Sequence, residues 1–157
     1  MWQNFAKKVF MVKPINPKIA IVASTYRPEI TQELVNNCTD TLLEKGIKSE
    51  NIFVVYVPGS LEIPLAAKMI AKKKQYSAII CFGAIFKGKT YHFEQIANES
   101  VRGCMQVSYD YEIPVIYEVL TVYKAQDARE RSRGKKDNRG IEGALCALQM
   151  IKTLKRL

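Results

Sequence analysis

A glycine-lysine-threonine segment followed by the only histidine is the part of the sequence that most directly suggests chemistry. Residues 83–90, GAIFKGKT, match the phosphate-loop pattern of a glycine, any four residues and then Gly-Lys-Thr. His92 stands two residues further on. Imidazole changes its protonation state near neutral pH and can therefore transfer protons there. The segment predicts either a nucleotide site or a site where a phosphate meets a proton-transferring group.

The rest of the sequence argues against a nucleoside triphosphatase. Such enzymes also hold magnesium with an aspartate at the end of another apolar strand. The apolar runs IAIVAS, IFVVYV and PVIYEVL end without one, and the interior of the segment, AIFK, is bulky. Backbone amides at a helix N-terminus, with Lys89 and Thr90 beside them, can still bind one phosphate or a similar anion. We therefore predict an anion site and keep ATP or GTP binding as an alternative.

Length and cysteine usage indicate one globular unit. The 157 residues predict an N-terminal arm over residues 1–17 and a single domain over residues 18–157. No apolar run has the roughly twenty residues of a membrane span, and the start lacks the apolar core of a signal peptide. The cysteines stand far apart in apolar stretches, so we expect no zinc site. We expect a cytoplasmic protein in which four thiols are reduced and buried: Cys38, Cys81, Cys104 and Cys146.

The formal net charge of +9 raises the question of a nucleic-acid partner. Basic residues concentrate in residues 124–140, KAQDARERSRGKKDNRG, which hold seven basic and three acidic side chains. Aromatic residues do not alternate with them as in single-strand binders, and no zinc-finger or RNA-binding motif is present. We therefore expect no nucleic acid, and interpret the basic stretch as a charged surface or a site for a small anion.

Apolar runs alternate with amphipathic runs along the chain. Strands are predicted at residues 18–24, 51–57, 77–82 and 114–120, and helices at residues 31–46, 60–74 (with Ser60 as the cap), after the quoted segment, near 127–133 and at 139–154. The strand candidates are apolar throughout, which is typical of a sheet buried on both faces. The prediction is an α/β three-layer sandwich with a parallel four-stranded sheet, to which residues 9–12 could add an edge strand. Ligands of such sheets bind beyond the carboxyl ends of the strands.

Four motifs, in the right order, resemble the 6,7-dimethyl-8-ribityllumazine synthase family of riboflavin biosynthesis. They are VPGSLEIP at 57–64, GAIFKGKTYHFEQI at 83–96, IPVIYEVLT at 113–121, and Arg131 seven residues before NRGIEGALCAL at 138–148. The resemblance covers about residues 18–154. It implies a flavodoxin-like fold and the condensation of 5-amino-6-(D-ribitylamino)uracil with 3,4-dihydroxy-2-butanone 4-phosphate. Phosphate and water are released, and no metal or organic cofactor is used.

The resemblance implies roles at the phosphate end of the site. His92 would shuttle protons during imine formation, phosphate loss and ring closure. Lys89 and Thr90 would hold the phosphate with their backbone amides and the threonine hydroxyl. Arg131 would grip the same phosphate with paired hydrogen bonds. Without the resemblance, a lone histidine such as His92 is more often a surface or satisfied core residue, and Arg131 would be one more charge in a basic stretch.

The resemblance also implies roles at the pyrimidine end. Tyr26 would stack on the pyrimidine, and Glu62 would accept hydrogen bonds from the ribityl hydroxyls, although an acid there would by itself favour the start of a helix. Tyr117 would come from a neighbouring subunit, and Arg139 stands where a lysine that reaches the pyrimidine is common. The remaining predicted positions contribute mainly backbone: Ser60, Leu61, Ala84, Ile85 and Phe86.

A site shared between chains implies that the monomer is inactive. The resemblance implies a pentamer or a multiple of it, up to sixty-subunit shells, with riboflavin synthase as a candidate physical partner. The sequence departs from the family at Tyr26-Arg27-Pro28, where an aromatic followed by asparagine is usual, at Leu61 for phenylalanine, and at Glu118 for a small residue. These departures leave an alternative, a weakly active paralogue that binds flavins or lumazines or forms shells.

Overall fold

The four strands form one parallel sheet in the computed structural model, which describes residues 16–157. The strands are β1 (Ile19–Ser24), β2 (Ile52–Val57), β3 (Ala78–Phe86) and β4 (Val115–Val122), in the order β2-β1-β3-β4. The helices are α1 (Pro28–Glu44), α2 (Ile63–Lys72), α3 (His92–Tyr111), α4 (Ala125–Arg133) and α5 (Arg139–Leu154). The predicted flavodoxin-like architecture is confirmed. Residues 9–12, for which an edge strand was considered, lie outside the described residues.

Two helical layers bury the sheet because successive side chains of a strand point to opposite faces. Ile21 and Phe82 pack on one face with side chains of α1, α4 and α5. Val22 and Cys81 pack on the other face with side chains of α2 and α3. Strands covered on both sides must be apolar at every position, which explains the continuous apolar runs.

The expectation of full burial is wrong at β2 and at one cysteine. Phe53 and Tyr56 in β2 are 42% and 45% exposed. This strand lies at the edge of the sheet, where the helices cover it less completely. Cys146 is only partly buried, because it lies at the flank of the buried face of α5. The other three cysteines are buried as predicted. No helix within residues 16–157 is long and apolar enough to cross a membrane.

Helix α1 follows the predicted apolar spacing but begins earlier than predicted. Leu34, Cys38 and Leu42 recur every fourth residue and are fully buried on one face. The sequence pattern also predicts Leu43 on this face, but Leu43 is 42% exposed because it is rotated away from that row. The helix starts at Pro28 rather than near residue 31, since proline fits the first helical position, where its missing N–H needs no acceptor.

The phosphate-loop interpretation fails because half of residues 83–90 belongs to a strand. Strand β3 continues to Phe86, and Gly83 and Phe86 are paired with Val119 and Val122 of β4. A Cβ atom at Gly83 would lie 2.7 Å from the Ser60 hydroxyl, so glycine is needed there for close packing rather than to cradle phosphates. In a nucleotide-binding loop, the first glycine opens the loop after the strand. The anion-site prediction is unaffected.

Candidate active site

A crevice of about 520 Å³, the main crevice, lies beyond the carboxyl ends of β1, β2 and β3. The topology predicts this position, since these ends meet at one edge of a parallel sheet. The crevice brings together nine of the predicted site residues: Tyr26, Ser60, Leu61, Glu62, Ala84, Ile85, Phe86, Thr90 and His92.

Backbone hydrogen bonds hold the segments after β1 and β2 side by side. The Thr25 amide donates to the Val57 carbonyl at 2.7 Å, and the Tyr26 amide donates to the Pro58 carbonyl at 3.2 Å. The pairing of the two parallel strands therefore continues into their loops. Tyr26 is 59% exposed at the crevice, so a face of its ring is available for stacking.

The segment after β2 places a carboxylate at the crevice through one short turn. Ser60–Glu62 form a 3-10 turn, and the Glu62 amide donates to the Gly59 carbonyl at 3.2 Å. A Cβ atom at Gly59 would lie 2.9 Å from Glu62 Oε2, so the missing side chain leaves room for the carboxylate. The prediction of Ser60 as a helix cap is wrong, because α2 begins only at Ile63 and the 3-10 turn precedes it.

His92 lies at the first position of α3 and is exposed to the crevice. The first amides of a helix have no acceptor within it, and the helix dipole favours an anion there. Thr90 lines the crevice beside this terminus, whereas Lys89 is exposed and does not line it. An ion pair between Lys87 and Glu94 connects the preceding loop to the first turn of α3.

Helix α3 adds an apolar wall that the sequence analysis missed. Phe93 and Ile96 line the crevice next to His92. Ile96 lies one helical turn from both, so the periodicity of the helix could have identified it. The main crevice thus combines an exposed imidazole, a carboxylate, a helix N-terminus and aromatic surfaces, a set suited to a flat polar ring and a small anion.

Three predicted residues lie elsewhere, in a second crevice of about 340 Å³ beside β4: Tyr117, Arg131 and Arg139. The Arg131 guanidinium donates to the Asp127 carbonyl of its own helix at 3.4 Å, and Arg139 follows Asn138, which caps α5. The Tyr117 and Ser100 hydroxyls lie 2.6 Å apart. Burial raises the pKa of Tyr117 to about 12, although the bond to Ser100 opposes the shift, so the phenol stays neutral. Arg131 therefore lines a different crevice from Thr90 and His92.

Glu118 lines the second crevice at a strand position where an apolar side chain is expected. It lies on the same face of β4 as the buried Ile116 and Leu120, and its side chain is only 14% exposed. Gly143 of α5 leaves room for it, since a Cβ atom there would lie 3.1 Å from Glu118 Cγ. Arg139 Nη1 lies 3.9 Å from Glu118 Oε2 and 3.0 Å from Glu142 Oε2. Burial raises the pKa of Glu118 to about 7, Arg139 lowers it, and Glu142 raises it further.

We expect Glu118→Gln to stabilise the protein at pH 8.5 but not at pH 5. A folded pKa of about 7, above the ordinary value of 4.5, means that the folded state retains the proton. The buried, protonated Glu118 therefore adds no penalty to folding below the unfolded pKa. As the pH rises through 7, the buried carboxyl ionises and the free energy of unfolding falls. The loss in the wild type amounts to about 2–3 kcal/mol, and glutamine cannot ionise. Urea unfolding at both pH values and one protein concentration measures the difference.

Glu142→Gln is the matched control for this experiment. Its carboxylate is more exposed and pairs with Arg139 at the surface, so the change should alter the unfolding free energy by only about 0.5 kcal/mol at either pH. An equal effect of Glu118→Gln at pH 5 and pH 8.5 would contradict the raised pKa.

Comparisons with known proteins agree on one family. The sequence model described as 6,7-dimethyl-8-ribityllumazine synthase matches residues 16–155. Curated proteins named 6,7-dimethyl-8-ribityllumazine synthase, from two strains of Coxiella burnetii, are each 39% identical to this chain over 140 residues. Each alignment covers 89% of this chain and 93% of the relative.

One solved structure shares a more distant likeness. A de novo designed Rossmann fold protein is 13% identical and aligns with a TM-score of 0.40, covering 74% of this chain and 98% of that chain. A likeness this low bears on neither fold nor function.

Proposed function

Because the chain belongs to the 6,7-dimethyl-8-ribityllumazine synthase family and is a transferase of riboflavin biosynthesis, we propose that its active site joins the main crevice of one subunit to the second crevice of a neighbour. The enzyme condenses 5-amino-6-(D-ribitylamino)uracil with 3,4-dihydroxy-2-butanone 4-phosphate. The observation that carries the proposal is the separation of Thr90 and Arg131 into different crevices. The observation supports a phosphate site in which Thr90 of one subunit meets Arg131 of its neighbour.

The pyrimidine substrate binds across the main crevice. Tyr26 stacks on the ring, and the backbone of Ala84, Ile85 and Phe86 hydrogen-bonds its edge. The end of β3 suits this role, because a strand end presents amides and carbonyls to a ligand. Glu62 accepts hydrogen bonds from the ribityl hydroxyls, with the backbone of Ser60 and Leu61 beside it. The exposed ring of Tyr26 and the carboxylate over Gly59 support this assignment.

The phosphate of the second substrate binds at the N-terminus of α3. The amides of Lys89 and Thr90, the threonine hydroxyl and the helix dipole hold it from one side. Arg131 of the neighbouring subunit holds it from the other with charge-assisted hydrogen bonds. Tyr117 and Arg139 of that subunit cover the pyrimidine end. The positions of Tyr117, Arg131 and Arg139 in a single crevice support their entering the site together.

His92 moves protons between the two substrates. Imine formation removes protons from the 5-amino group and releases the ketone oxygen as water, so a group that accepts and returns a proton accelerates it. An exposed imidazole at the phosphate end of the crevice can also act during phosphate release and ring closure. Holding both substrates in one crevice adds the advantage of proximity.

The active assembly is a pentamer or a multiple of it, located in the cytoplasm, with riboflavin synthase as a candidate partner. Exposed apolar side chains one turn apart on α2, Leu65 and Met69, support contact with another protein surface. The exposed side chains of the edge strand β2 support the same conclusion.

We expect His92→Ala and Arg131→Ala subunits to regain activity when they assemble together. If each site takes these residues from adjacent subunits of a ring, about a quarter of the sites in a random one-to-one mixture carry both native residues. The variants are unfolded in urea, mixed, refolded and assayed for lumazine by absorbance and fluorescence. The butanone phosphate concentration is kept well below the wild-type KM, where Arg131→Ala subunits are also slow. A blank without enzyme is subtracted, because the condensation also proceeds slowly without a catalyst.

Variants refolded separately and mixed just before the assay are the control, since their subunits have not exchanged. Activity of the co-refolded mixture no higher than the mean of the two parent variants would contradict a site shared between chains.

A further inference from the structure

We propose that Arg27 is a positioning residue for the pyrimidine site, and that its guanidinium orders the rings of Tyr26 and Phe86. Both rings line the main crevice, whereas Arg27 is not part of its wall. The inference rests on the proposed role of Tyr26 as the stacking residue.

Arg27 destabilises the start of α1 in three ways. Its φ of 59° and ψ of 57° place a non-glycine residue in the left-handed region. It occupies the N-cap without a side-chain hydrogen bond to the helix, whereas asparagine is among the residues preferred at this position. It also places a cation at the positive end of the helix dipole. Strain of this kind persists where surrounding structure enforces it, and it concentrates at functional sites.

Contacts with two aromatic rings define where the guanidinium lies. Its central carbon is 5.3 Å from the centroid of the Tyr26 ring and 4.6 Å from that of the Phe86 ring. Both distances lie within the range of cation–π attraction. Arg27 Nε is buried and has no hydrogen-bond partner within residues 16–157.

The two rings come from different parts of the fold. Tyr26 belongs to the loop after β1, and Phe86 ends β3. Tyr26 is mostly exposed, so a free ring would lose conformational entropy when a substrate stacks on it. Arg27 orders the ring before the substrate arrives, which lowers the cost of binding. A cation beside the rings also draws electron density from them, which favours stacking with an electron-rich aminopyrimidine.

Stability and substrate binding should therefore change in opposite directions in Arg27→Asn. Asparagine tolerates the left-handed conformation and can cap the helix, so the melting temperature should rise by about 2–4 °C. The loss of two cation–π contacts should raise the KM for 5-amino-6-(D-ribitylamino)uracil about 5- to 30-fold. The KM for the butanone phosphate should stay within about twofold, because Arg27 does not reach the phosphate end.

Two further variants separate positioning from a merely structural role. Arg27→Lys keeps the cation and should recover part of the lost affinity. Lys74→Asn is the matched control, because Lys74 is also a cation with a positive φ, 53°, but lies exposed beyond the C-terminus of α2. It should leave both KM values unchanged. A fall in stability of Arg27→Asn with an unchanged pyrimidine KM would overturn the inference.

Binding of the product separates failure of this inference from failure of the proposed site. Fluorescence titration with 6,7-dimethyl-8-ribityllumazine is carried out on the wild type, Tyr26→Ala and Arg27→Asn. Weaker binding in both variants supports the inference. Weaker binding in Tyr26→Ala alone overturns the role of Arg27 and leaves the site intact. Unchanged binding in Tyr26→Ala overturns the stacking role of Tyr26 and the inference with it.

Discussion

Replacing His92 with alanine should lower kcat for lumazine formation by about a hundredfold and leave both KM values within about threefold. The imidazole lines the main crevice at the phosphate end but makes no contact on which the packing of α3 depends, since it is exposed. Its removal should therefore affect proton transfer more than substrate binding. Steady-state kinetics with each substrate varied in turn, after subtraction of the uncatalysed rate, measure both effects.

Gln95→Ala is the matched control for His92→Ala. Gln95 is exposed in the first turn of the same helix but does not line the crevice, so its loss should leave kcat unchanged. A His92→Ala enzyme with wild-type kcat would remove the histidine from the mechanism.

Replacing Arg131 with alanine should raise the KM for 3,4-dihydroxy-2-butanone 4-phosphate by about 10- to 100-fold. The guanidinium is the group of the second crevice best suited to paired hydrogen bonds with a phosphate, and its bond to the Asp127 carbonyl already orients it. The KM for the pyrimidine substrate should change by less than about threefold, because that substrate carries no phosphate. Steady-state kinetics and inhibition by inorganic phosphate provide two independent measurements.

Arg129→Ala tests whether charge alone explains the effect of Arg131→Ala. Arg129 is an exposed cation on the same helix and does not line the second crevice. Its removal changes the net charge equally but should leave the KM for the phosphate substrate within about twofold at moderate salt. A similar rise in KM for both substrates in Arg131→Ala, or an equal rise in Arg129→Ala, would exclude a specific phosphate contact.

The sequence by itself determined the fold class and the location of the main crevice. Continuous apolar runs predict a sheet buried on both faces, because strand positions that face helical layers on both sides exclude polar residues. Helix α5 was predicted with its observed bounds, Arg139–Leu154, and the structure adds that Asn138 caps it. Ligands bind at the carboxyl ends of parallel strands, and this rule predicted that the segments after β1, β2 and β3 form one site.

Only the tertiary structure decided which residues meet across the fold. The pairing of β3 with β4 extends the strand to Phe86 and removes the phosphate loop. Gly143 of α5 leaves room for Glu118 of β4. Arg27, which follows β1, contacts Phe86 at the end of β3. Local periodicity records how one element is buried, whereas distances between elements depend on how they pack. For the same reason, the separation of Arg131 from Thr90 emerged only once the fold was known.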